Sequence, residues 1–160
     1  MQIHIQKNLK AFKEKYPDLC KGVKVNDYEK LNIQFPLSYK EFLFLCGDEF
    51  EPLRGLNLGF YPVNDNQLWI LKQNENARKN LKEYGLAHLM PKNWWVVAEW
   101  DGSEVIWYID LDADDDPPVY GFNIVEYAYE PSDFWHKKVA DSFSEWINKK
   151  IDFFEKHGHS

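Results

Sequence analysis

Residues 93–123 have the sequence NWWVVAEWDGSEVIWYIDLDADDDPPVYGFN, and this stretch decides the fold. Residues 94–98 form a near-continuous apolar run, which predicts a strand covered on both faces. Residues 105–109 and 119–122 predict two further strands. Asp101-Gly102, between the first two runs, indicates a tight hairpin turn. Residues 110–118 form an acidic turn, and its two prolines cannot donate hydrogen bonds to a sheet. We therefore predict an antiparallel meander of aromatic-rich strands at the centre of the protein.

Three helices around this meander are indicated by apolar periodicity and by residues typical of helix ends. Residues 2–16 carry apolar side chains at helical spacing. A second, largely buried helix is expected from Pro36, which suits the first helical position, to Gly47, which suits a left-handed C-terminal cap. Ser142 and Glu145 form a capping box and precede an apolar stripe, which predicts the last helix.

The remaining segments are assigned from their local patterns. The predicted elements are one helical turn over residues 27–31, a strand over 56–61, a helix capped by Asp65 and ending at Gly85, a strand over 124–129, and a connector over 131–139. Residues 74–82 are polar, so the second half of the helix before Gly85 is expected at the surface. Together these elements predict an α+β fold, a single domain over residues 1–160 with a mainly antiparallel sheet flanked by helices.

Length and composition are those of an ordinary globular domain. The chain has 160 residues, 17% of them aromatic, and a mean hydropathy of −0.58. It shows no apolar signal-peptide region and no apolar span of 18 residues, so neither secretion through a signal peptide nor a membrane span is expected. With only Cys20 and Cys46, neither a disulfide framework nor a zinc site is expected, and the predicted location is the cytoplasm.

The net charge of −7 is concentrated in one segment. Residues 99–133 hold eleven acids and no Lys or Arg, whereas the rest of the chain holds 15 acids and 19 basic residues. Such a single-sign field repels nucleic acid and attracts basic proteins. A basic protein partner is therefore expected; the alternative is that the acids only protect sheet edges and aid solubility.

The acidic turn partly matches the pattern of a calcium site. Asp110, Asp112 and Asp114 have the spacing of the first three ligands of an EF-hand loop. However, Asp115 occupies the position that requires glycine, and Gly121 occupies the position that requires a bidentate Glu. The flanking residues also predict strands instead of helices. We therefore expect a solvated turn and no metal site.

No catalytic motif accompanies these residues. None of the five histidines lies in an HExxH pattern, and no serine lies in a GxSxG pattern. We predict a protein that is not an enzyme and needs no cofactor. Trp94, Trp95, Trp100 and Trp107 could stack on a carbohydrate, but aromatic side chains on apolar strands are more typical of a core.

The predicted hairpin raises one question of charge. If Asp101-Gly102 is a two-residue turn, Glu99 lies directly opposite Glu104, and like charges in that position are mildly unfavourable. Either the turn is longer than two residues, or the repulsion is tolerated because both acids meet a basic partner.

Two segments resemble a known family. Residues 35–43, FPLSYKEFL, followed by Gly47, are similar to its signature of a proline, a short helix and a glycine. Residues 140–147, ADSFSEWI, follow the meander and are similar to its closing helix. On these residues the chain resembles the SUKH superfamily, from about residue 27 to residue 155. This superfamily comprises bacterial immunity proteins and also fungal regulators of cell-wall synthesis. The chain departs from it at Gly47-Asp48, where many relatives have Asn-Gly.

The resemblance implies a SUKH-like α+β domain that binds and neutralises the cognate toxin of a bacterial polymorphic toxin system, without catalysis. Such toxins are often nucleases with basic surfaces, so we expect a basic toxin as partner, no nucleic acid or membrane, and a monomer when free. The candidate contact residues are Glu99, Asp101, Glu104, Asp112, Asp114, Asp115 and Asp116. The alternative function is a regulatory scaffold of the cell-wall type, although such scaffolds usually carry disordered extensions. Calcium or carbohydrate binding is less favoured.

Overall fold

The structure is a computed structural model that describes residues 1–158. The α-helices within them are Lys7–Lys15 (α1), Val25–Glu29 (α2), Leu37–Cys46 (α3), Trp69–Glu83 (α4), Ile124–Tyr129 (α5) and Phe143–Phe153 (α6). The strands are Cys20–Lys21 (β1), Glu49–Phe50 (β2), Pro62–Asn64 (β3), Gln67–Leu68 (β4), Trp94–Trp100 (β5), Val105–Asp110 (β6), Val119–Asn123 (β7) and His136–Ala140 (β8). None of the described helices is both long and apolar enough to cross a membrane.

Four antiparallel strands form the main sheet, in the order β5-β6-β7-β8. The register places Trp95 opposite Ile109, and Tyr108 opposite Tyr120. Two small antiparallel pairs, β1 with β2 and β3 with β4, lie outside this sheet. The predicted meander and the α+β fold with a mainly antiparallel sheet are therefore confirmed.

Both faces of the sheet are covered where β5 runs through it. One face carries Trp95, Val97 and Ile109, which pack with α1, α3 and α6 in the larger hydrophobic cluster. The opposite face carries Trp94 and Val96, which pack with α4 in a second cluster. Because consecutive strand residues point to opposite faces, the near-continuous apolar run of β5 contributes to both cores.

Large rings fill the larger core. Tyr39 is fully buried and contacts Phe35 and Phe143 edge to face, with ring centroids 5.2 and 5.4 Å apart. The Trp95 Nε1–H group donates to the Tyr39 hydroxyl at 3.3 Å, and burial raises the pKa of Tyr39. Aromatic pairs of this kind contribute roughly 0.5–1.5 kcal/mol beyond the burial of their area. The rings therefore join α3, β5 and α6 into one unit.

Helix α1 is shorter than the expected span of residues 2–16, because a side chain of α3 binds the backbone of the segment before it. Glu41 of α3 is fully buried, and its carboxylate accepts the backbone N–H groups of His4, Ile5 and Gln6 at 2.9, 2.9 and 2.8 Å. These bonds satisfy amides at the helix start that have no partner within the helix. The negative charge also favours that end of the helix dipole. Helical residues therefore begin at Lys7.

Helix α3 occupies the segment predicted for it, but both of its ends differ from the prediction. Pro36 immediately precedes the helix and is not its first residue. Gly47 has φ −65°, so it is right-handed and does not form the expected left-handed cap. Glycine is favoured there for a different reason, since a Cβ at residue 47 would lie 2.7 Å from Leu43 Cα and 2.9 Å from the Leu43 carbonyl oxygen.

Residues 56–61 do not form the predicted strand. Asn57 makes only an isolated antiparallel bridge with Glu99 of β5. Asp65 lies in the turn between β3 and β4, so it does not cap a helix, and α4 begins at Trp69. A short pair of strands thus occupies the segment in which the helix start was expected.

Helix α4 ends close to the predicted residue, but its polar half is not wholly at the surface. Gly85 has φ +72°, and the Leu86 N–H donates to the Leu81 carbonyl, which is a Schellman ending. Asn74 is buried, and its Oδ1 accepts the Val96 N–H at 2.9 Å. Asn74 lies on the buried side of α4, where its side chain pairs with a backbone N–H on the free edge of β5.

The segment after β7 is a helix, where a strand was predicted. Asn123 Oδ1 accepts the Glu126 N–H at 3.2 Å and so caps α5. The Ile124 N–H donates to the Glu104 carbonyl at 2.9 Å, which ties the start of α5 to the turn between β5 and β6. The fourth strand of the sheet is β8, which lies largely within the predicted connector.

Helix α6 confirms the predicted capping box and apolar stripe. Ser142 Oγ accepts the Glu145 N–H at 3.1 Å, and the Glu145 carboxylate accepts the Asp141 N–H at 3.1 Å. The buried side chains of this helix are Phe143, Trp146, Ile147 and Ile151. Because α6 packs on α1 and α3, the last helix completes the larger core.

Candidate functional site

The predicted acidic residues lie at two opposite ends of the main sheet. Residues 101–104 connect β5 to β6, and residues 111–118 connect β6 to β7. Strand β6 has six residues, which at about 3.3 Å per residue separates the two ends by roughly 20 Å. The acids therefore form two sites, and a single compact ligand cannot contact both.

Glu99, one of the predicted contact residues, is an internal residue with an exposed fraction of 6%. Its carboxylate accepts hydrogen bonds from Asn57 Nδ2 at 3.0 Å and Gln73 Nε2 at 3.3 Å. It also accepts the Ser103 N–H at 2.6 Å. Glu99 was predicted as a contact residue, but the structure places its carboxylate inside the fold. There it binds groups at the end of the β5–β6 hairpin.

The turn between β5 and β6 has four residues instead of the predicted two. Glu99 consequently lies opposite Ile106, and not opposite Glu104. Asp101 and Ser103 have left-handed φ angles of 56° and 67°. The longer turn therefore removes the predicted repulsion between Glu99 and Glu104.

Asp101 and Glu104 are both exposed in this turn. The negative charge of Asp101 raises the pKa of the Glu104 carboxyl, assisted by partial desolvation and by their hydrogen bond. Asn80 Nδ2 from α4 donates to the carbonyls of Gly102 and Ser103 at 3.4 and 3.3 Å, which fixes the turn. Two repelling carboxylates in a fixed turn favour the approach of a cationic group.

Residues 110–118, which we call the acidic loop, use several of their polar groups within the fold. Asn93 Nδ2 donates to both carboxylate oxygens of Asp112, at 3.0 and 2.9 Å. The carboxylates of Asp110 and Asp114 each accept the N–H two residues further along the chain, at 2.9 Å. The Asp115 carbonyl accepts an N–H from the start of α3. These hydrogen bonds restrict the conformation of the loop.

Asp116 is half-buried and supports the start of α6. Its Oδ1 accepts the Ser144 N–H at 2.9 Å, and its Oδ2 accepts the Ser144 hydroxyl. Within residues 1–158, no group of three or more His, Cys, Asp or Glu side chains is placed to hold a metal ion. The exposed carboxylates of the acidic loop are those of Asp112, Asp114 and Asp115.

Three of the six exposed aromatic side chains within residues 1–158 lie at the other end of the sheet. Trp94 and Trp95 are buried, whereas Trp100 is 54% exposed. Tyr129 and Phe134 are 87% and 63% exposed. Sequence periodicity could not select the last two, because residues 124–139 predict a strand and a connector. Their exposure depends on α5 and on the turn into β8.

Adjacent strands bring these rings and several acids to one end of the sheet. Trp100 pairs with Val105, Val105 pairs with Asn123, and the Asn123 N–H donates to the Trp135 carbonyl at 2.7 Å. We call this surface the aromatic end, and its exposed rings are Trp100, Tyr129 and Phe134. Its exposed carboxylates are Asp101, Glu104, Glu126, Glu130 and Asp133.

A family model described as SMI1 / KNR4 family (SUKH-1) matches residues 28–149, which is most of the chain. The chain belongs to this family. The resemblance to the SUKH superfamily is thereby confirmed. No curated protein and no solved structure matches the chain. SUKH-1 members are generally non-enzymatic immunity or regulatory proteins, and membership implies a protein partner such as a toxin.

The region matched to SUKH-1 contains the whole main sheet, and therefore both the acidic loop and the aromatic end. Helix α1 lies before this region, yet the Glu41 carboxylate within it holds the segment that leads into α1. The matched range begins at residue 28, next to the expected start at about residue 27. It ends within α6, six residues before the expected end at residue 155.

This SUKH-1 chain also has a groove of about 670 Å³ on the sheet face beside β8. Its lining includes Tyr108, Tyr120 and His136. The Tyr108 hydroxyl and His136 Nε2 lie 2.6 Å apart. Burial lowers the pKa of His136, against the opposing charge of Asp133, and burial raises the pKa of Tyr108. Both groups therefore favour their neutral forms, and their hydrogen bond links β6 to β8 across β7.

Proposed function

We propose that this SUKH-1 chain is an immunity protein that binds a cognate bacterial polymorphic toxin and neutralises it by direct contact. The observation that carries this proposal is the charge distribution, since residues 99–133 hold eleven acids and no Lys or Arg. We further propose that the toxin presents a basic surface, as a nuclease domain does in order to hold the phosphates of its substrate.

Two acidic sites on one sheet support binding to such a surface. A strong negative field steers a basic partner and raises the rate of association. The hydrogen bonds within the β5–β6 turn fix the positions of its exposed carboxylates before binding, which reduces the cost of ordering them in the complex. A nuclease whose basic surface is covered in this way loses access to nucleic acid.

Neutralisation by contact requires neither catalysis nor a cofactor, and we propose that it takes place in the cytoplasm. Cys20 and Cys46 are both free and buried. Free thiols are typical of proteins in a reducing compartment, where disulfides do not persist. A cytoplasmic immunity protein would meet its toxin before the toxin reaches nucleic acid.

The proposed function is tested by co-expression. The toxin domain encoded beside this gene is induced in cells with and without the chain, and the two proteins are then co-purified. Survival of the protected cells together with a stable complex is the expected result, because inhibition requires direct contact. A toxin variant without activity serves as the control for expression burden.

Failure of protection against a toxin that is shown to be active would contradict the immunity function. The remaining candidate would then be a non-enzymatic regulatory binding module, the other role described for this family. Protection without co-purification would contradict neutralisation by direct contact and would separate that mechanism from the biological role.

A further inference from the structure

We propose that the aromatic end, rather than the acidic loop, is the surface on which the basic protein partner docks. This inference rests on the proposed immunity function and assigns the contact surface for it. The two surfaces lie at opposite ends of β6, so substitutions at one end do not alter the contacts made at the other.

Exposed rings distinguish the two surfaces. Trp100, Tyr129 and Phe134 all have exposed fractions above one half. Among the described residues, the acidic loop and the strand before it, residues 105–118, carry no exposed large apolar side chain. Binding energy in protein interfaces is concentrated on a few Trp, Tyr and Arg residues, while exposed acids alone contribute little. Of these two surfaces, the aromatic end is therefore the one that offers both exposed rings and exposed charge.

The charge around the rings identifies the chemistry of the partner. The five carboxylates of the aromatic end are exposed and lie on the same segments as the three rings, and residues 99–133 hold no Lys or Arg, although the exposed Lys137 lies beside Phe134. Lys137 Nζ lies 4.4 Å from the centroid of the Phe134 ring. A Lys or Arg of a partner can use Trp100 in the same manner, with its cationic head near Asp101 or Glu104. The fitting occupant is thus a basic protein surface.

The aromatic end is also held in place before any partner arrives. The buried Glu99 carboxylate accepts the Ser103 N–H, and Asn80 holds the carbonyls of the same turn. The Ile124 N–H donates to the Glu104 carbonyl, which fixes α5 against the turn. A surface fixed in this way loses little conformational entropy on binding.

The acidic loop, in contrast, directs several carboxylates to its own fold. Asp112 accepts both bonds from Asn93, and Asp116 accepts both bonds from Ser144. A partner that bound these oxygens would compete with the existing hydrogen bonds. We therefore assign the loop to long-range steering, and the aromatic end to short-range contact.

The experiment compares two double variants, and each removes two exposed carboxylates. One variant alters the aromatic end and the other alters the acidic loop. Glu130→Gln/Asp133→Asn alters the aromatic end, and Asp114→Asn/Asp115→Asn is the control with the same net charge. An inactive form of the toxin domain encoded beside the gene is the probe, and association and dissociation rates are measured at low salt and at about 0.15 M salt. Trp100→Ala and Phe134→Ala test the rings.

The expected result separates the two rates. Trp100→Ala raises the dissociation rate by about tenfold or more, as truncation of a central anchor does. Glu130→Gln/Asp133→Asn also accelerates dissociation, whereas the control pair slows only association, and only at low salt. Thermal unfolding of each variant is recorded, and Phe134→Ala replaces Trp100→Ala if the latter fails to fold.

Three outcomes would overturn the inference. If the control pair accelerates dissociation while the aromatic-end variants dissociate like the wild type, the partner docks on the acidic loop and the immunity function stands. If the wild type forms a dimer that Trp100→Ala abolishes, a second copy of the chain occupies this face. If the wild-type chain does not bind the toxin at all, the proposed function fails, and the assignment of its surface fails with it.

Discussion

Glu41 and Glu99 are carboxylates that lie inside the fold and organise the backbone around them. Glu41 accepts three backbone N–H groups from the segment before α1. Glu99 accepts one backbone N–H and two side-chain amides at the end of β5. Neither role could be predicted from the sequence, because carboxylates are usually exposed and their long-range N–H donors carry no local pattern.

Replacement of Glu41 should destabilise the whole domain. In Glu41→Ala the N–H groups of His4, Ile5 and Gln6 lose their acceptor, and leaving such donors unsatisfied costs about 1–3 kcal/mol. We expect the free energy of unfolding to fall by about that amount, measured by urea denaturation. Glu14→Ala, on the exposed side of α1, is the matched control and should change it little. Equal stability of the two variants would contradict the structural role of Glu41.

His136 should make stability dependent on pH. Burial lowers its pKa in the folded protein below the ordinary value of 6.5, although Asp133 opposes the shift, and its ring faces Tyr108. The unfolded chain then binds the proton more readily than the folded one, so this contribution to stability is complete above pH 6.5 and is lost as pH falls through 6.5 towards the folded pKa.

The measurement is urea unfolding at about pH 7.5 and about pH 5.5, on either side of the ordinary pKa of histidine. The wild type should lose stability at the lower pH. His136→Phe should be less stable at both pH values, since the Tyr108 hydroxyl loses its partner, but its pH dependence should be smaller. The same pH dependence in both proteins would exclude His136 as its source.

At the scale of single elements, the start of α6 depends on two independent caps. Ser142 and Glu145 form the local box, and Asp116 from the acidic loop holds Ser144. The local box was predictable because both residues lie within four positions of each other. The contact with Asp116 was not, since it spans 28 residues.

Asp116 should therefore differ from its neighbours in the acidic loop. Asp116→Ala removes the acceptor for both Ser144 groups, and loss of a cap of this kind costs about 0.5–2 kcal/mol. We expect a lower thermal unfolding midpoint for Asp116→Ala and an unchanged midpoint for Asp115→Ala, both measured by circular dichroism. A lower midpoint for Asp115→Ala alone would mean that the cap is not made by Asp116.

The elements that the sequence predicted correctly are those with local signals. Strands β5, β6 and β7 follow from apolar runs and turn residues, and α6 follows from its capping box. The failures lie where tertiary contacts override local preference. Residues 124–129 are rich in side chains typical of strands, yet Asn123 caps them and Glu104 holds the amide of Ile124. The edge strand β8 was missed because Lys137 and Lys138 interrupt its apolar pattern.

At the scale of the whole molecule, both edges of the main sheet are protected from pairing with another chain. Along β5, Asn57 pairs with Glu99, Asn74 accepts an edge N–H, and Arg78 donates to the Trp94 carbonyl at 2.8 Å. Strand β8 carries exposed lysines and a register shift against β7. Both are devices that oppose edge-to-edge association.

We therefore expect the free chain to be a monomer. Sedimentation velocity at low and high micromolar concentration should give one species of the monomer mass. Arg78→Ala leaves the Trp94 carbonyl without its donor and should increase self-association relative to the control Lys79→Ala. A stable wild-type dimer would contradict the protective role of these edges.

The packing of α6 on α1 also has a consequence for synthesis on the ribosome. Leu9 and Phe12 of α1 are synthesised well before the helix that partly buries them, since that helix begins at Phe143. Until α6 has left the ribosome, these side chains are accessible to chaperones and proteases. A chain that is cut short before α6 cannot close its larger core, so exposed apolar surface distinguishes it from a chain that contains α6.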